Sequence, residues 1–257
     1  MQTPLFCADW LNVVFLHFRI DAIALQPIVP LELDRFNGDA YVSLVAFTQS
    51  RLRPAKGGRW FEWLTAPLAR HEFLNLRTYV RSGETRGIYF LSEWIPNRLA
   101  VLIGPRMYGL PYRLGKIKYA NDLRLLEMSG RVFAQGQTME YRAALRSRDF
   151  ATVLPRSLDH FLVERYTAFT SRGGIVRRFD VSHDPWPVAP LDAQLTRSAL
   201  LPWPLATPTL AHFSPGVHEV MISAPSLVQE DRFPPPAPSR PPPASRRSPP
   251  AHRRRTP

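Results

Sequence analysis

Residues 75–119 read NLRTYVRSGETRGIYFLSEWIPNRLAVLIGPRMYGLPYRLGKIKY, and this segment decides the fold. Its first seven residues alternate, so that Asn75, Arg77 and Tyr79 point to one side and the residues between them point to the other. A period of two residues is that of a β-strand. A glycine-bounded turn follows, and the apolar run IYFL (residues 88–91) is typical of the returning strand. The segment therefore predicts a β-hairpin.

The polar face of this hairpin has the character of a ligand-binding wall. Asn75, Arg77 and Tyr79 offer an amide, a guanidinium and a phenol in succession, and such groups orient a polar ligand. Arg77 could take a carboxylate bidentately. Alternatively, Arg77 closes an internal ion pair with Glu164. We add three residues of the same segment to this candidate ligand-binding set, namely Tyr89, Tyr112 and Arg113.

Acid–base chemistry has three candidates in the sequence. Glu93 and Glu164 are conceivable general bases, and His183 is a conceivable acid–base or ligand-contacting residue in a corner held rigid by Pro185 and Trp186. For His183, simple packing of the corner is the favoured alternative. The seven histidines show no spacing typical of a metal site, and we expect neither a metal nor a cofactor.

Two lysines stand out because the chain has 30 arginines and only three lysines. Lys116 and Lys118 lie two residues apart and share a face if they lie on a strand. Lysine, unlike arginine, can lose its proton and act as a nucleophile. The alternative is that both side chains face solvent.

The rest of the chain predicts about ten short strands and two or three short helices, which is a mainly β (α+β) fold. We expect strands at residues 11–20, 31–36, 40–47, 116–119, 123–128, 138–145, 165–170 and 216–223, and helices at residues 22–26 and 158–164. Residues 97–103 and 191–200 suit either class, and Gly104-Pro105 is expected to end the first of them. Closure of the sheet into an antiparallel β-barrel or cone would remove exposed strand edges.

Two further features lie outside this framework. Residues 51–70 are typical of a long loop, whose Trp60, Phe61 and Trp63 either cover a cavity or pack beneath the loop, with packing favoured. His17 lies in an apolar run and is predicted to be a hydrogen-bonded core residue rather than a functional one.

Composition limits the class of protein. A chain of 257 residues with 45% apolar residues can bury one good core, so we predict a single domain over residues 1–228. One cysteine, Cys7, excludes an intramolecular disulfide framework and a cysteine-rich zinc site. The sequence has no secretory signal pattern, and prolines interrupt its longest uncharged stretch, so we expect a cytoplasmic protein without a membrane span.

The net charge of +12 is concentrated partly at the C-terminus. Residues 229–257 contain seven arginines and ten prolines but few large apolar residues, which predicts a disordered tail. A solubilising or incidental extension is the favoured interpretation, and no specific nucleic acid is expected as a partner. Association with nucleic acid or an anionic membrane is the open alternative.

Eight motifs in order, across residues 10 to about 224, resemble the YqjF-like family of uncharacterised bacterial proteins. They are FLHFRI, LDRFNGDAYVSLVAF, NLRTYV, GIYFLS, RLAV with MYGLPY, LDHFLVERY, HDPWPV and AHFSPGVHEVMI. That family is considered a distant relative of acetoacetate decarboxylase. The resemblance therefore implies a β-rich cone or barrel fold.

The same resemblance does not carry over the lysine chemistry of the decarboxylase. Its signature is Gly-Phe-Pro followed by two adjacent lysines, one of which forms a Schiff base with a β-keto acid. The matching place here reads Gly109-Leu110-Pro111-Tyr112-Arg113, and arginine cannot form an imine in water. Lys116 or Lys118 would have to supply the amine, with Arg113 nearby lowering its pKa.

Three functions remain open from the sequence. The first is a small-molecule binding protein of this fold, whose ligand is a carboxylate or keto acid. The second is a lyase or decarboxylase-type enzyme that uses a lysine Schiff base or Glu/His acid–base chemistry. The third is a basic protein that associates with nucleic acid or membrane through its tail.

Overall fold

Strands dominate the described part of the chain, which covers residues 3–56 and 65–228 of a computed structural model. The strands are β1 (Pro4–Ile20), β2 (Glu32–Leu33), β3 (Ala40–Pro54), β4 (His71–Ser82), β5 (Thr85–Ile95), β6 (Tyr112–Leu114), β7 (Lys116–Asp122), β8 (Glu127–Ala134), β9 (Gln137–Leu145), β10 (Thr167–Arg172), β11 (Ile175–Ser182), β12 (Ala189–Ser198), β13 (Leu210–Ser223) and β14 (Ser226–Leu227). The α-helices are α1 (Ala22–Leu25), α2 (Arg98–Met107) and α3 (Leu158–Val163), and short 3₁₀ turns lie at Gln26–Ile28 and Ala66–Leu68.

A ring of paired strands forms the centre of the fold. Strands β13, β1, β3, β4, β5, β10 and β11 pair in that order, and β11 pairs back onto β13. The β5–β10 pair is parallel, with Ala168 opposite Ile88, and the other pairs of the ring are antiparallel. Closing the ring leaves these strands no free edge. The predicted mainly β barrel is confirmed.

A second set of strands continues from β13 and covers one side of the ring. It runs β12, β9, β8, β7, and Tyr119 of β7 donates a hydrogen bond to the backbone oxygen of Phe73 at 2.7 Å. Strand alternation divides the apolar residues between two cores. Phe73 faces the inside of the ring, whereas Leu74 and Leu76 pack between the ring and the covering strands.

Side-chain caps start all three helices. Asp21, Asn97 and Ser157 each accept a hydrogen bond from a backbone N–H in the first turn. The prediction that Gly104-Pro105 ends the second helix is wrong, because α2 continues to Met107. Proline removes one helical hydrogen bond near the end of the helix, and the Tyr108 N–H still reaches the Gly104 oxygen at 2.9 Å.

Two strand predictions are also corrected. The strand expected at residues 31–36 is limited to Glu32–Leu33, which pairs with β4 because both edges of β3 are already taken by β1 and β4. Residues 123–126 form a turn rather than a strand, since the Asp122 carboxylate accepts hydrogen bonds from the next backbone N–H groups.

Strand β11 was not expected from the sequence. It follows a Gly173-Gly174 turn in which both residues have positive φ. The helices predicted at residues 22–26 and 158–164 are confirmed as α1 and α3, each ending one residue earlier than predicted. Trp60, Phe61 and Trp63, together with the tail at residues 229–257, lie outside the described residues. No helix in the described ranges has the length and apolar character needed to cross a membrane.

Candidate functional site

The ring encloses a cavity of about 180 Å³. Strand β4 supplies one wall, because His71, Phe73, Asn75 and Arg77 all point inward. The hairpin alternation predicted from Asn75 onward thus begins four residues earlier. Most of the remaining wall is apolar, and its aromatic members include Phe15, Phe47, Phe90, Phe179 and Trp186.

A row of three polar side chains crosses three neighbouring strands at this wall. Asn75 of β4 lies opposite Glu93 of β5, and Glu93 is paired in turn with Tyr112 of β6. All three line the cavity. Directly paired residues on adjacent strands hold their side chains within reach of one another. The fold therefore brings an amide, a carboxyl and a phenol together inside a largely apolar space.

Glu93 supplies the carboxyl of this row. The residue is only 3% exposed. Burial raises the pKa of its carboxyl to about 8, although the nearby Arg77 guanidinium acts in the opposite direction. A carboxyl with this pKa is mostly protonated at neutral pH. It changes between its protonated and ionised forms within about one pH unit of neutrality.

Arg77 is a buried cation without an ion-pair partner among the described residues. It is 8% exposed, and burial lowers the pKa of its guanidinium, but arginine stays protonated in proteins. One of its terminal nitrogens donates to the Leu162 carbonyl at 3.4 Å. The second arginine at the cavity differs, because Arg165 forms a 2.9 Å ion pair with Asp34.

Several buried polar atoms at this wall have no hydrogen-bond partner within the described ranges. They include Asn75 Oδ1, Arg77 Nε and Glu93 Oε2. Buried polar atoms are normally paired, and those left unpaired often mark a place for a ligand or water. An acceptor, a cation and a titratable carboxyl thus converge on one space.

Tyr79 lies on the same face of β4 as Arg77 but packs in the core instead of lining the cavity. Its hydroxyl donates to the Leu162 carbonyl at 2.8 Å and lies 2.6 Å from Ser43 Oγ, which is 2.7 Å from His17 Nδ1. Burial lowers the pKa of His17 well below its ordinary value, so the ring is neutral near pH 7. His17 is a hydrogen-bonded core histidine, as the sequence indicated, and this chain of bonds holds the end of β4 in place.

Glu164 does not line the cavity but holds Trp186, which does, whereas His183 lines it. The Glu164 carboxylate accepts hydrogen bonds from the Tyr166 hydroxyl at 2.5 Å and the Trp186 N–H at 2.9 Å. It makes no ion pair with Arg77, so the predicted pair is corrected. His183 does line the cavity, with its ring 4.9 Å from that of Tyr166 and 4.8 Å from that of Trp186. Burial lowers the pKa of His183.

Six of the predicted site residues do not line the cavity, namely Tyr79 and Glu164, described above, and Tyr89, Arg113, Lys116 and Lys118. Lys116 and Lys118 are exposed on β7, because in the alternation of that strand they face solvent while the residues between them face the core. Arg113 is exposed and donates to Gln135 at 3.3 Å. Tyr89 faces the core between the ring and the covering strands. Of the two alternatives for these lysines, the structure has the one in which both side chains face solvent, and neither lysine reaches the cavity as a catalytic amine would have to.

Sequence reasoning missed part of the wall. His71 and Trp10 both line the cavity, and burial lowers the pKa of His71 to about 4. Extending the period-two pattern upstream of Asn75 would have found His71. Trp10 had no such signal, because its placement depends on the β1–β13 pairing. Across residues 3–56 and 65–228, no group of three or more His, Cys, Asp or Glu side chains could hold a metal ion.

The comparison with protein families places the whole ring and its covering strands in one family. Residues 7–218 match DUF2071, described as an uncharacterized conserved protein family. The chain belongs to DUF2071. A relative, the uncharacterized protein YqjF of Bacillus subtilis (strain 168), is 32% identical over 191 residues, which are 73% of this chain and 76% of that protein.

Solved structures extend the likeness of this DUF2071 chain to the acetoacetate decarboxylase fold. An acetoacetate decarboxylase-like enzyme from Sphingomonas wittichii RW1 matches with a TM-score of 0.64 and 13% identity, covering 88% of this chain and 94% of that one. The enduracididine biosynthesis enzyme MppR complexed with pyruvate matches with a TM-score of 0.62 and 13% identity, covering 88% and 91%. These likenesses confirm the fold that the resemblance implied.

Proposed function

We propose that this chain binds a small monocarboxylate with an apolar body inside its barrel. Arg77 holds the carboxylate, Asn75 and Tyr112 orient it, and the aromatic wall contains the rest of the molecule. Among known proteins of this fold, the MppR structure complexed with pyruvate supports a small carboxylate as the ligand type.

The observation that carries this proposal is the charge of Arg77. A buried guanidinium without a counter-ion is costly, and it is normally balanced by a carboxylate. The described residues offer Arg77 no ion pair, and Glu93 is mostly protonated at neutral pH because its pKa is about 8. A ligand carboxylate would supply the missing negative charge and accept from the unpaired Nε.

The size and chemistry of the cavity define the ligand further. A volume of about 180 Å³ corresponds to about six water molecules at roughly 30 Å³ each, which suits a molecule of the size of a short 2-oxo acid or benzoate. Among the described residues that line the cavity, Arg77 is a cation without a counter-ion whereas Arg165 is paired with Asp34, which favours one carboxylate rather than two. The aromatic lining favours an apolar body.

A lysine Schiff base is not part of this proposal. Lys116 and Lys118 face solvent on β7, and Lys56 is exposed at the end of the described segment that precedes residue 65. The ligand is therefore held without a covalent bond. The cytoplasmic location and the role of residues 229–257, including any contact with nucleic acid or membrane, stay predictions from the sequence.

Titration calorimetry with benzoate and with uncharged benzamide tests the proposal. We expect benzoate to bind and Arg77→Met to weaken its binding at least tenfold. Arg113→Met is the matched control, since Arg113 is exposed outside the cavity. Equal affinity for benzamide and benzoate, or an equal loss in both variants, would show that Arg77 does not select a carboxylate.

A further inference from the structure

We propose that Glu93 is a general base that removes a proton from the carbon next to the keto group of a bound 2-oxo acid, so that the protein catalyses enolisation. This inference rests on the proposed function, because Arg77 must first hold the carboxylate of the acid. It names both a substrate class and a reaction for the same cavity, and it uses no lysine.

The position of Glu93 supports this role. The residue lies in the middle of the polar row, between Asn75 and Tyr112, and Arg77 lies two residues along β4 from Asn75. Its Oε2 is buried and has no hydrogen-bond partner in the described part of the chain. A carboxylate oxygen that no protein group occupies is free to accept a proton from a substrate. Glu164 cannot do so, since both of its oxygens already accept hydrogen bonds.

The proton affinity of Glu93 also suits the task. A general base works best when its pKa lies near the operating pH, and burial brings the pKa of this carboxyl to about 8. Arg77 opposes that shift by charge. The other titratable groups that share the cavity are His71, Tyr108, Tyr112, Arg165 and His183.

Tyr112 is placed to stabilise the developing enolate. Burial and the neighbouring Glu93 raise the pKa of its phenol well above the ordinary value, so the hydroxyl keeps its proton and acts as a donor. Helix α2 fixes the ring, because a Cβ at Gly104 would lie only 2.3 Å from it. Only glycine permits this close approach of the helix to Tyr112.

The proposed step balances without a further reactant. The ionised Glu93 carboxylate takes a proton from C3 of the 2-oxo acid, and the electron pair of the broken C–H bond forms a C2–C3 double bond. The π electrons of the C2 carbonyl move to its oxygen, which accepts a hydrogen bond from Tyr112. The protonated Glu93 carboxyl then exchanges its proton for a deuteron of the solvent D₂O. Reversal of the first step returns that deuteron to C3 in place of the original proton.

Proton NMR of 2-oxobutanoate in D₂O measures this exchange directly. With the full-length chain, we expect the C3 protons to be lost faster than in buffer alone, and the rate to rise with pH and level off above about pH 8, where Glu93 is ionised. Glu93→Gln should lower the rate at least 100-fold, which is the usual range for loss of a general base, while binding of 2-oxobutanoate is kept.

Two variants separate catalysis from simple disturbance of the fold. Glu72→Gln makes the same chemical change on β4, at a residue outside the cavity lining, and should leave the exchange rate unchanged. Tyr112→Phe should slow the exchange by a larger factor than it weakens binding, because its hydrogen bond to the substrate oxygen strengthens as the enolate forms.

The outcomes distinguish this inference from the proposed function. Binding of 2-oxobutanoate by the wild type without accelerated exchange, or exchange that Glu93→Gln leaves intact, would overturn the enolisation proposal and leave carboxylate binding standing. Failure of the wild type to bind any of the carboxylates used, including benzoate, would overturn the proposed function and the enolisation proposal together.

Discussion

Glu93→Gln should make the protein more stable at alkaline pH, and this prediction tests the electrostatics of the cavity without any ligand. The folded protein holds the Glu93 proton up to about pH 8, whereas the unfolded chain releases it near the ordinary value of 4.5. Between these two values the native state binds more protons than the unfolded state. The free energy of unfolding must therefore fall as pH rises through this window, and glutamine removes that dependence.

The size of the effect follows from the two pKa values. Each pKa unit corresponds to about 1.4 kcal/mol. The interval from 4.5 to about 8 therefore amounts to about 5 kcal/mol for this buried carboxyl, as an order of magnitude. The advantage of Glu93→Gln over the wild type should grow from less than about 1 kcal/mol at pH 5 to about 5 kcal/mol at pH 9, and should change little above that.

Urea unfolding at pH 5, 7 and 9, followed by circular dichroism, measures this difference for both proteins. Glu72→Gln serves as the control, since it changes the same charge on β4 at a residue that does not line the cavity. A constant difference between Glu93→Gln and wild type at all three pH values would refute the reasoning. That result would mean that Glu93 is already ionised in the folded protein, and the enolisation proposal would lose its pH profile.

Three further predictions concern other parts of the structure. Tyr79→Phe should lower the free energy of unfolding by about 1–3 kcal/mol in urea titrations, because it leaves buried polar atoms unpaired. Gly87→Ala should destabilise the protein by about 1–3 kcal/mol at the β5–β10 junction, because a Cβ at this position would lie 2.4 Å from a backbone oxygen of β10. Gly115→Ala is the control and should be tolerated in the same assay, because its Cβ would meet no atom closer than 3.4 Å. Borohydride with pyruvate should give no covalent adduct by mass spectrometry, and an adduct abolished by the double change Lys116→Ala and Lys118→Ala would contradict the exposed placement of these lysines.

The fold could be predicted from local patterns because most strands carry their own signal. The alternation after Asn75 specifies β4, and a buried apolar run specifies β1. Where prediction failed, tertiary pairing outweighed the local pattern. Residues 31–36 look like a strand in isolation, but β1 and β4 already occupy both edges of β3. The segment therefore pairs with the end of β4 through Glu32–Leu33, and Phe36 makes a single bridge to Asp39.

The site was harder to predict because it depends on register between strands. Asn75 and Arg77 were found from one strand alone, since alternation places both on one face. That Glu93 meets Asn75 and Tyr112 depends on two pairings and on a register irregularity between Leu76 and Arg77, and no single-strand pattern encodes these. The placement of Lys116 and Lys118 could not be predicted for the same reason. Alternation shows that they share a face of β7, but it does not show which face points inward.

The bend before β6 places a phenol in the cavity, within the segment that matches the decarboxylase signature. Two residues follow Pro111 in the motif, and alternation sends Tyr112 inward and Arg113 outward to solvent. A phenol that keeps its proton cannot attack a carbonyl, but it can donate to an oxygen that becomes negative. With Glu93 beside it and Arg77 close by, the site has what non-covalent proton transfer needs, namely a base, a hydrogen-bond donor and a cation.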